Sequence, residues 1–360
     1  MSRPIQAIID HSALVHNLSI VRQYVPHTRI FAVLKADAYG HGLLHTANAL
    51  KNVDGFALLE LDAAITLRTA GYQQPILLLE GFFSTMEIAL IEQYQLSTVI
   101  HHPEQVSMLT DSQSRKIDIF IKVNTGMNRL GLSPKQLPQV IQKLTNNQQV
   151  KNITLMTHFA SADDPHEKAS VFRQLQCFEV ITEKYNYPCS LANSAAIVNY
   201  PETHSDWVRP GIMLYGASPL SDKTATDLNL LPVMTLSSKI IAIHDLEAGD
   251  KVGYHGLFKA DYRMRIGIVA CGYADGYPRH VPTGTPVLIN NQRGRLLGRV
   301  SMDMLAIDLT GIENAKLGDP VVLWGKGMPV EEIATYAETS SYELLCGLAA
   351  RVDRKFLKSF

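Results

Sequence analysis

Ile30-Phe31-Ala32-Val33-Leu34-Lys35-Ala36-Asp37-Ala38-Tyr39-Gly40-His41-Gly42 sets an unbroken apolar run directly before a lysine and a glycine-bounded turn. Unbroken hydrophobicity reads as a strand buried on both faces, as in a parallel sheet covered by helices. Seven further runs, mostly continuous rather than alternating, follow at residues 56–61, 76–79, 98–101, 117–123, 153–157, 190–192 and 207–208. Between them lie amphipathic stretches such as Leu61-Asp62-Ala63-Ala64-Ile65-Thr66-Leu67-Arg68-Thr69-Ala70-Gly71, whose spacing predicts a helix closed by glycine. Strand followed by helix, eight times over, predicts an α/β chain whose N-terminal part is a (β/α)8 TIM-like barrel. An open doubly wound sheet is the runner-up, but no glycine fingerprint of a dinucleotide site follows the first strand.

Past residue 230 the texture changes to alternation and turn signals, as in Ser238-Lys239-Ile240-Ile241-Ala242-Ile243 and Pro286-Val287-Leu288-Ile289. Residues 1–230 are therefore assigned to the barrel and 231–360 to a C-terminal β-rich domain. The early strand-like piece at 6–9 precedes the barrel count, so residues 1–10 are expected to pair with the second domain.

Composition narrows the function. The 360 residues carry 33 Lys+Arg against 34 Asp+Glu, without a basic run of the kind that tracks phosphates or anionic lipid, so neither nucleic acid nor membrane is an expected partner. Met1-Ser2-Arg3-Pro4 leads straight into Ile5-Gln6-Ala7-Ile8-Ile9 without a cleavable apolar leader, which makes the cytoplasm the expected compartment. Cys177, Cys189, Cys271 and Cys346 lie far apart without metal-ligand spacing, and are expected as reduced thiols.

In a barrel of this type the site lies on the loops at the carboxyl ends of the strands. Lys35 follows the first strand, Asn124 to Arg129 the fifth, His158 the sixth, Asn193 and Ser194 the seventh and Arg209 the eighth. A lysine at the mouth of a buried strand is partly desolvated, so its amine is available to attack a carbonyl and form a Schiff base. Taken alone, Lys35 could snorkel to solvent and His158 could be a satisfied core imidazole; Arg209 could belong to a surface ion pair, but its place after an apolar strand argues for a buried, permanently charged donor. Their convergence on one rim favours a site.

The chain resembles the bacterial alanine racemases, fold type III pyridoxal-phosphate enzymes, from end to end. The resemblance rests on the stretch from Val33 to Gly42 together with six more ordered motifs. These are Lys122-Val123-Asn124-Thr125-Gly126-Met127-Asn128-Arg129-Leu130-Gly131, Ala192-Asn193-Ser194-Ala195-Ala196, Val208-Arg209-Pro210-Gly211-Ile212-Met213-Leu214-Tyr215-Gly216, Val252-Gly253-Tyr254, Gly272-Tyr273-Ala274-Asp275-Gly276-Tyr277-Pro278-Arg279 and Gly298-Arg299-Val300-Ser301-Met302-Asp303-Met304.

The resemblance implies that Lys35 carries pyridoxal 5'-phosphate and serves as base on the D-alanine face of the substrate, while Tyr254 serves the opposite face. Tyr254 would come from the other subunit of a head-to-tail homodimer that shares its active sites. Arg209 would bond the cofactor's ring nitrogen, with His158 linking it to the tyrosine. Arg129 and the backbone of Met302 would hold the substrate carboxylate. Tyr39, Ser194, Gly211 and Ile212 would hold the phosphate, and Asp303 counts among the supporting residues. In many relatives the lysine matching Lys122 is carbamylated, which would turn a cation beside Arg129 into an anion that orients it.

Three positions depart from the family pattern: Ala350 replaces a phosphate-binding tyrosine, Ser301 a frequent cysteine, and Ser190 a histidine of some relatives. None is a proton-transfer group. A racemase of another small amino acid such as serine is the nearest alternative, since one hydroxyl is worth only about 1 to 3 kcal/mol to a pocket without a dedicated partner. A fold type III decarboxylase is further away, because neither its glycine-rich phosphate loop nor a catalytic cysteine of the second domain is found here.

Overall fold

The protein is described by a computed structural model covering residues 3–109 and 116–357. After β1 (Gln6–Asp10) come the barrel strands β2 (Arg29–Val33), β3 (Gly55–Leu58), β4 (Ile76–Leu78), β5 (Ser97–Ile100), β6 (Ile117–Lys122), β7 (Val150–Met156), β8 (Cys189–Asn193) and β9 (Trp207–Arg209). Each pairs in parallel with the next, and β9 returns to β2 through Arg29 opposite Trp207 and Ile30 opposite Val208, so the barrel closes. All eight apolar runs are strands of this barrel. Residues 55–58, 76–78 and 97–100 are buried at every position, which is why those runs show no alternation.

Several boundaries differ from the sequence expectation, as where β7 begins at Val150 and not at 153. The run at 56–61 extends past its strand, because β3 ends at Leu58, Leu59 lines a cavity at the barrel mouth, and Leu61 opens the helix Leu61–Thr69. Apolar character persists there because the loop packs inward, not because the strand continues.

The second unit contains β10 (Met234–Leu246), β11 (Lys251–Val252), β12 (Phe258–Lys259), β13 (Met264–Val269), β14 (Pro286–Ile289), β15 (Gln292–Leu297), β16 (Leu305–Asp308), β17 (Pro320–Trp324) and β18 (Asp353–Leu357). Its main sheet runs β13-β16-β15-β14-β17-β10-β1-β18, and β10 also pairs with β13, so six strands form a closed ring. The ring closes because β10 is long: its first half pairs with β17 and β1, while residues 240–246 reach β13. β1 lies antiparallel to β10 and parallel to β18. From there Asp10 caps the first barrel helix, His11–Tyr24, accepting from the backbone N–H of Ser12 at 2.8 Å. Among the described residues no helix is long and apolar enough to cross a membrane.

Candidate active site

Among the described residues, two cavities sit at opposite ends of the barrel. The larger, about 610 Å³, lies at the amino ends of the strands, floored by Phe31, Phe120 and Trp207. The other, about 390 Å³, lies at the carboxyl ends, and there the chemistry converges. Lys35, Tyr39, Lys122, Arg129, His158, Ser194, Arg209, Gly211 and Ile212 all line it. Four cations thus face one described carboxylate, Glu80. A cavity with that excess of positive charge is suited to a ligand carrying several negative charges.

The segment after Lys35 is held in an unusual shape. Ala36, Asp37, Ala38 and Tyr39 all have φ between 52° and 54°, a left-handed turn that costs about 1–2 kcal/mol per residue. Local bonds compensate. Gly40 N–H donates to Ala36 O at 3.0 Å, Gly42 N–H to Asp37 O at 2.9 Å, and Leu43 N–H to the Asp37 carboxylate at 2.8 Å. Gly40, with φ at 77°, must be glycine twice over, because a Cβ there would sit 2.3 Å from Leu345 O. The turn carries the Tyr39 ring onto Tyr215 at 4.6 Å between centroids and its hydroxyl toward Gly211.

That approach forms a cradle. Gly211 has no side chain where a Cβ would lie 2.6 Å from Tyr39 Oη, and its N–H donates to Ser194 Oγ at 2.8 Å. Ser194 begins the short helix Ser194–Asn199, capped by Asn193, whose side chain accepts from Ala196 N–H at 3.0 Å. Two hydroxyls and the backbone at 211–212 therefore meet at one point, an arrangement that fits a phosphate.

Arg209, 5% exposed, is a buried donor and not part of a surface ion pair. It donates to Ser190 Oγ at 2.6 Å, Thr157 O at 2.7 Å and Leu191 O at 3.1 Å. Ser190 thus fills with a hydroxyl the place where some relatives have histidine. Arg209 Nη2 also lies 3.4 Å from His158 Nδ1. A guanidinium can only donate, so Nδ1 accepts and the ring proton resides on Nε2. Burial, then Arg209, Arg129 and the two lysines, hold His158 well below the ordinary histidine value, so its imidazole is neutral.

Burial, with Arg129 next, pushes Lys35 below the ordinary lysine range. The same causes, with Arg209 ahead of Arg129, bring Lys122 down to about 8. Lys122 Nζ donates to Leu79 O at 2.8 Å. Burial alone brings Arg209 to about 10.

Three of the residues singled out in the sequence do not line this cavity. Tyr254 and Met302 lie on the second unit, 68% and 53% exposed. Asp303 pairs with Arg351 at 2.7 Å and Arg3 at 3.8 Å. Conversely, sequence reasoning missed Glu80 and Tyr342 in the lining. Tyr342, whose hydroxyl burial pushes up to about 12, enters from the helix Ser341–Cys346 with its ring 5.8 Å from Tyr39. Neither Glu80 nor Tyr342 belongs to a sequence motif quoted above.

A closed (β/α)8 barrel with a desolvated lysine beside an anion cradle, joined to a strand-rich second unit, defines a barrel enzyme acting on a small molecule. The family models described as "Alanine racemase, N-terminal domain" and "Alanine racemase, C-terminal domain" match residues 9–219 and 233–356. The chain belongs to the alanine racemase family, whose members are isomerases. The alanine racemase of Nitrosospira multiformis is 59% identical over 355 residues, spanning 98% of this chain and 99% of that protein. The crystal structure of biosynthetic alanine racemase from Pseudomonas aeruginosa superposes with a TM-score of 0.96 at 42% identity, over 99% of this chain and 100% of that one. The alanine racemase of Bartonella henselae, solved with covalently bound pyridoxal phosphate, gives 0.90 at 29% identity over 98% and 99%.

Proposed function

We propose that the protein interconverts L-alanine and D-alanine by moving one proton off, and another onto, opposite faces of the substrate α-carbon. The observation that carries this reading is the Lys35 amine, desolvated and held below its ordinary pKa in a cavity of about 390 Å³ dominated by cations. Pyridoxal 5'-phosphate, when bound, supplies the electron sink that acidifies the α-hydrogen.

This chain's residues do the rest. Lys35 would hold the cofactor covalently, and, once freed by substrate, would serve one face as base. The Tyr39 and Ser194 hydroxyls and the backbone of Gly211 and Ile212 would hold the phosphate, with Tyr342 at the rim. Arg209 would donate to the cofactor's ring nitrogen and so disfavour its protonation, which would limit charge spread into the ring and its side reactions. Arg129 and the N–H of Met302 grip the substrate carboxylate. The partner subunit's Tyr254 serves the second face, so two copies share each site head to tail. The exposure of Tyr254 and Met302 in the single chain supports that assignment. His158, neutral and protonated on Nε2, relays the charge of Arg209 toward the tyrosine, while Asp303 steadies the loop of Met302 through Arg351.

Lys122 is proposed to be carbamylated. A lysine brought down to about 8 carries a substantial neutral fraction near physiological pH, the form that adds carbon dioxide. The resulting anion would accept from Arg129 and relieve the crowding of cations. The division of labour places cofactor binding mainly in residues 1–230, with Tyr342 added from the second unit, and the second-face residues in 231–360. The enzyme is assigned to the cytoplasm, supplying D-alanine for peptidoglycan or serving alanine catabolism.

The test is a panel of amino acids offered to the purified holoenzyme, with racemisation followed by chiral chromatography. Alanine should turn over fastest, with serine as a slower side reaction. Lys35→Ala should lose the borohydride-reducible cofactor linkage and racemisation together. A Lys35→Ala protein that racemises alanine at the parent rate, or a parent that releases carbon dioxide from basic amino acids, would sink the reading.

A further inference from the structure

Gln174 stands on the outer helix Lys168–Lys184, 3% exposed, with no charge partner and no place in the motifs above. Its carboxamide is nonetheless fully used. Nε2 donates to Thr125 Oγ1 at 3.1 Å and to His158 O at 3.0 Å, while Oε1 accepts from the N–H of Ala160 at 3.0 Å. These partners belong to the loops that follow β6 and β7. One of them leads into Arg129, and the other carries His158.

Beyond Thr125 the bonds run in one direction. Thr157 Oγ1 donates its single proton to Val123 O at 3.0 Å, so the 2.7 Å contact between the two threonine hydroxyls has Thr125 as donor. The Thr125 oxygen is left to accept, and Gln174 supplies the proton. The chain then reaches Arg209, whose Nη2 donates to Thr157 O at 2.7 Å. An amide satisfies the three partners of residue 174, whereas a carboxylate has no donor for two of them and a hydrocarbon abandons all three. The Arg129 loop also packs on the side chain itself, since a Cβ at Gly126 would lie 3.2 Å from Gln174 Cγ.

We propose that Gln174 is a positioning residue, whose carboxamide sets the loop of Arg129, and with it the carboxylate subsite, in register with His158 and Arg209. The inference rests on Arg129 as the carboxylate contact, as assigned under the proposed function. It adds a determinant that lies outside the cavity and touches neither substrate nor cofactor.

Gln174→Met removes every polar bond at similar volume, and Gln174→Glu keeps the acceptor but loses both donors. The holoenzymes are titrated with propionate, an unreactive carboxylate of substrate size, and KM and kcat are measured for both alanine enantiomers. The expected result is a rise of about tenfold in KM and in the propionate dissociation constant, with cofactor content unchanged. Adding Thr125→Val to Gln174→Met should then change little, because both break one chain of bonds. A lowered melting temperature with parental KM and propionate binding overturns the proposal, leaving Gln174 a packing residue. Should the Gln174 variants fail to fold, Thr125→Val alone carries the same tenfold expectation, and parental constants there overturn it equally. Arg129→Ala is run alongside. If that change leaves propionate binding intact, the carboxylate subsite itself is misassigned and both readings fall; if it weakens binding while the Gln174 and Thr125 variants do not, only this proposal does.

Discussion

Replacing Gly211 by alanine is a direct probe of the phosphate cradle. The new Cβ would lie 2.6 Å from Tyr39 Oη and 3.2 Å from its Cζ, so the hydroxyl has to retreat by about 0.8 Å to restore an ordinary 3.4 Å contact. Retreat is obstructed, because the Tyr39 ring is buried and stacked 4.6 Å from Tyr215. Overpacking of this kind costs about 1–3 kcal/mol. The strain falls on two of the groups assigned to the phosphate, so cofactor affinity should weaken about 5- to 150-fold. The assay is titration of the apoprotein with pyridoxal phosphate, followed by absorbance, with thermal melting in parallel. Adding Tyr39→Phe removes the closest atom; the double variant should recover melting temperature without recovering affinity. An alanine variant that binds cofactor as tightly as the parent would refute the cradle.

Three other expectations concern Lys122 and the assembly. Lys122→Ala should lose activity that small added carboxylates partly restore, whereas Arg129→Ala should not be rescued by them; an alanine variant at full rate shows that another group orients Arg129. In buffer freed of carbon dioxide, the Lys122 ammonium titrates at about 8 when folded and at 10.5 when unfolded. The unfolded chain holds the extra proton in that window, so stability rises with pH across it, by up to about 3 kcal/mol relative to Lys122→Met. Denaturant curves at both ends check this, bicarbonate should flatten the difference, and parallel curves throughout would contradict it. Finally, mixing inactive Lys35→Ala with inactive Tyr254→Phe should regain activity as subunits exchange, since one of two shared sites then keeps both residues. No recovery after verified exchange would mean that lysine and tyrosine act within one chain.

What the sequence alone determined is the part governed by local burial. Runs such as 30–33 and 76–78 lie in strands covered on both faces, so they are continuously apolar, and eight such runs prescribe a closed barrel. The rim position of Lys35, Arg129, His158 and Arg209 followed, because in such a barrel each strand's carboxyl end opens on one mouth. Tertiary structure decided what depends on neighbours far apart in the chain. The left-handed turn at 36–39 leaves no periodic trace, being held by Leu345 and by its own bonds. Tyr342 reaches Tyr39 from 303 positions away along the numbering. The burial of Arg209 could be read from its place after an apolar strand, but its partners Ser190, Thr157 and Leu191 could not. Nothing in the sequence marks Gln174, since a pattern of hydrophobicity records whether a position is buried and not which hydrogen bonds it completes there.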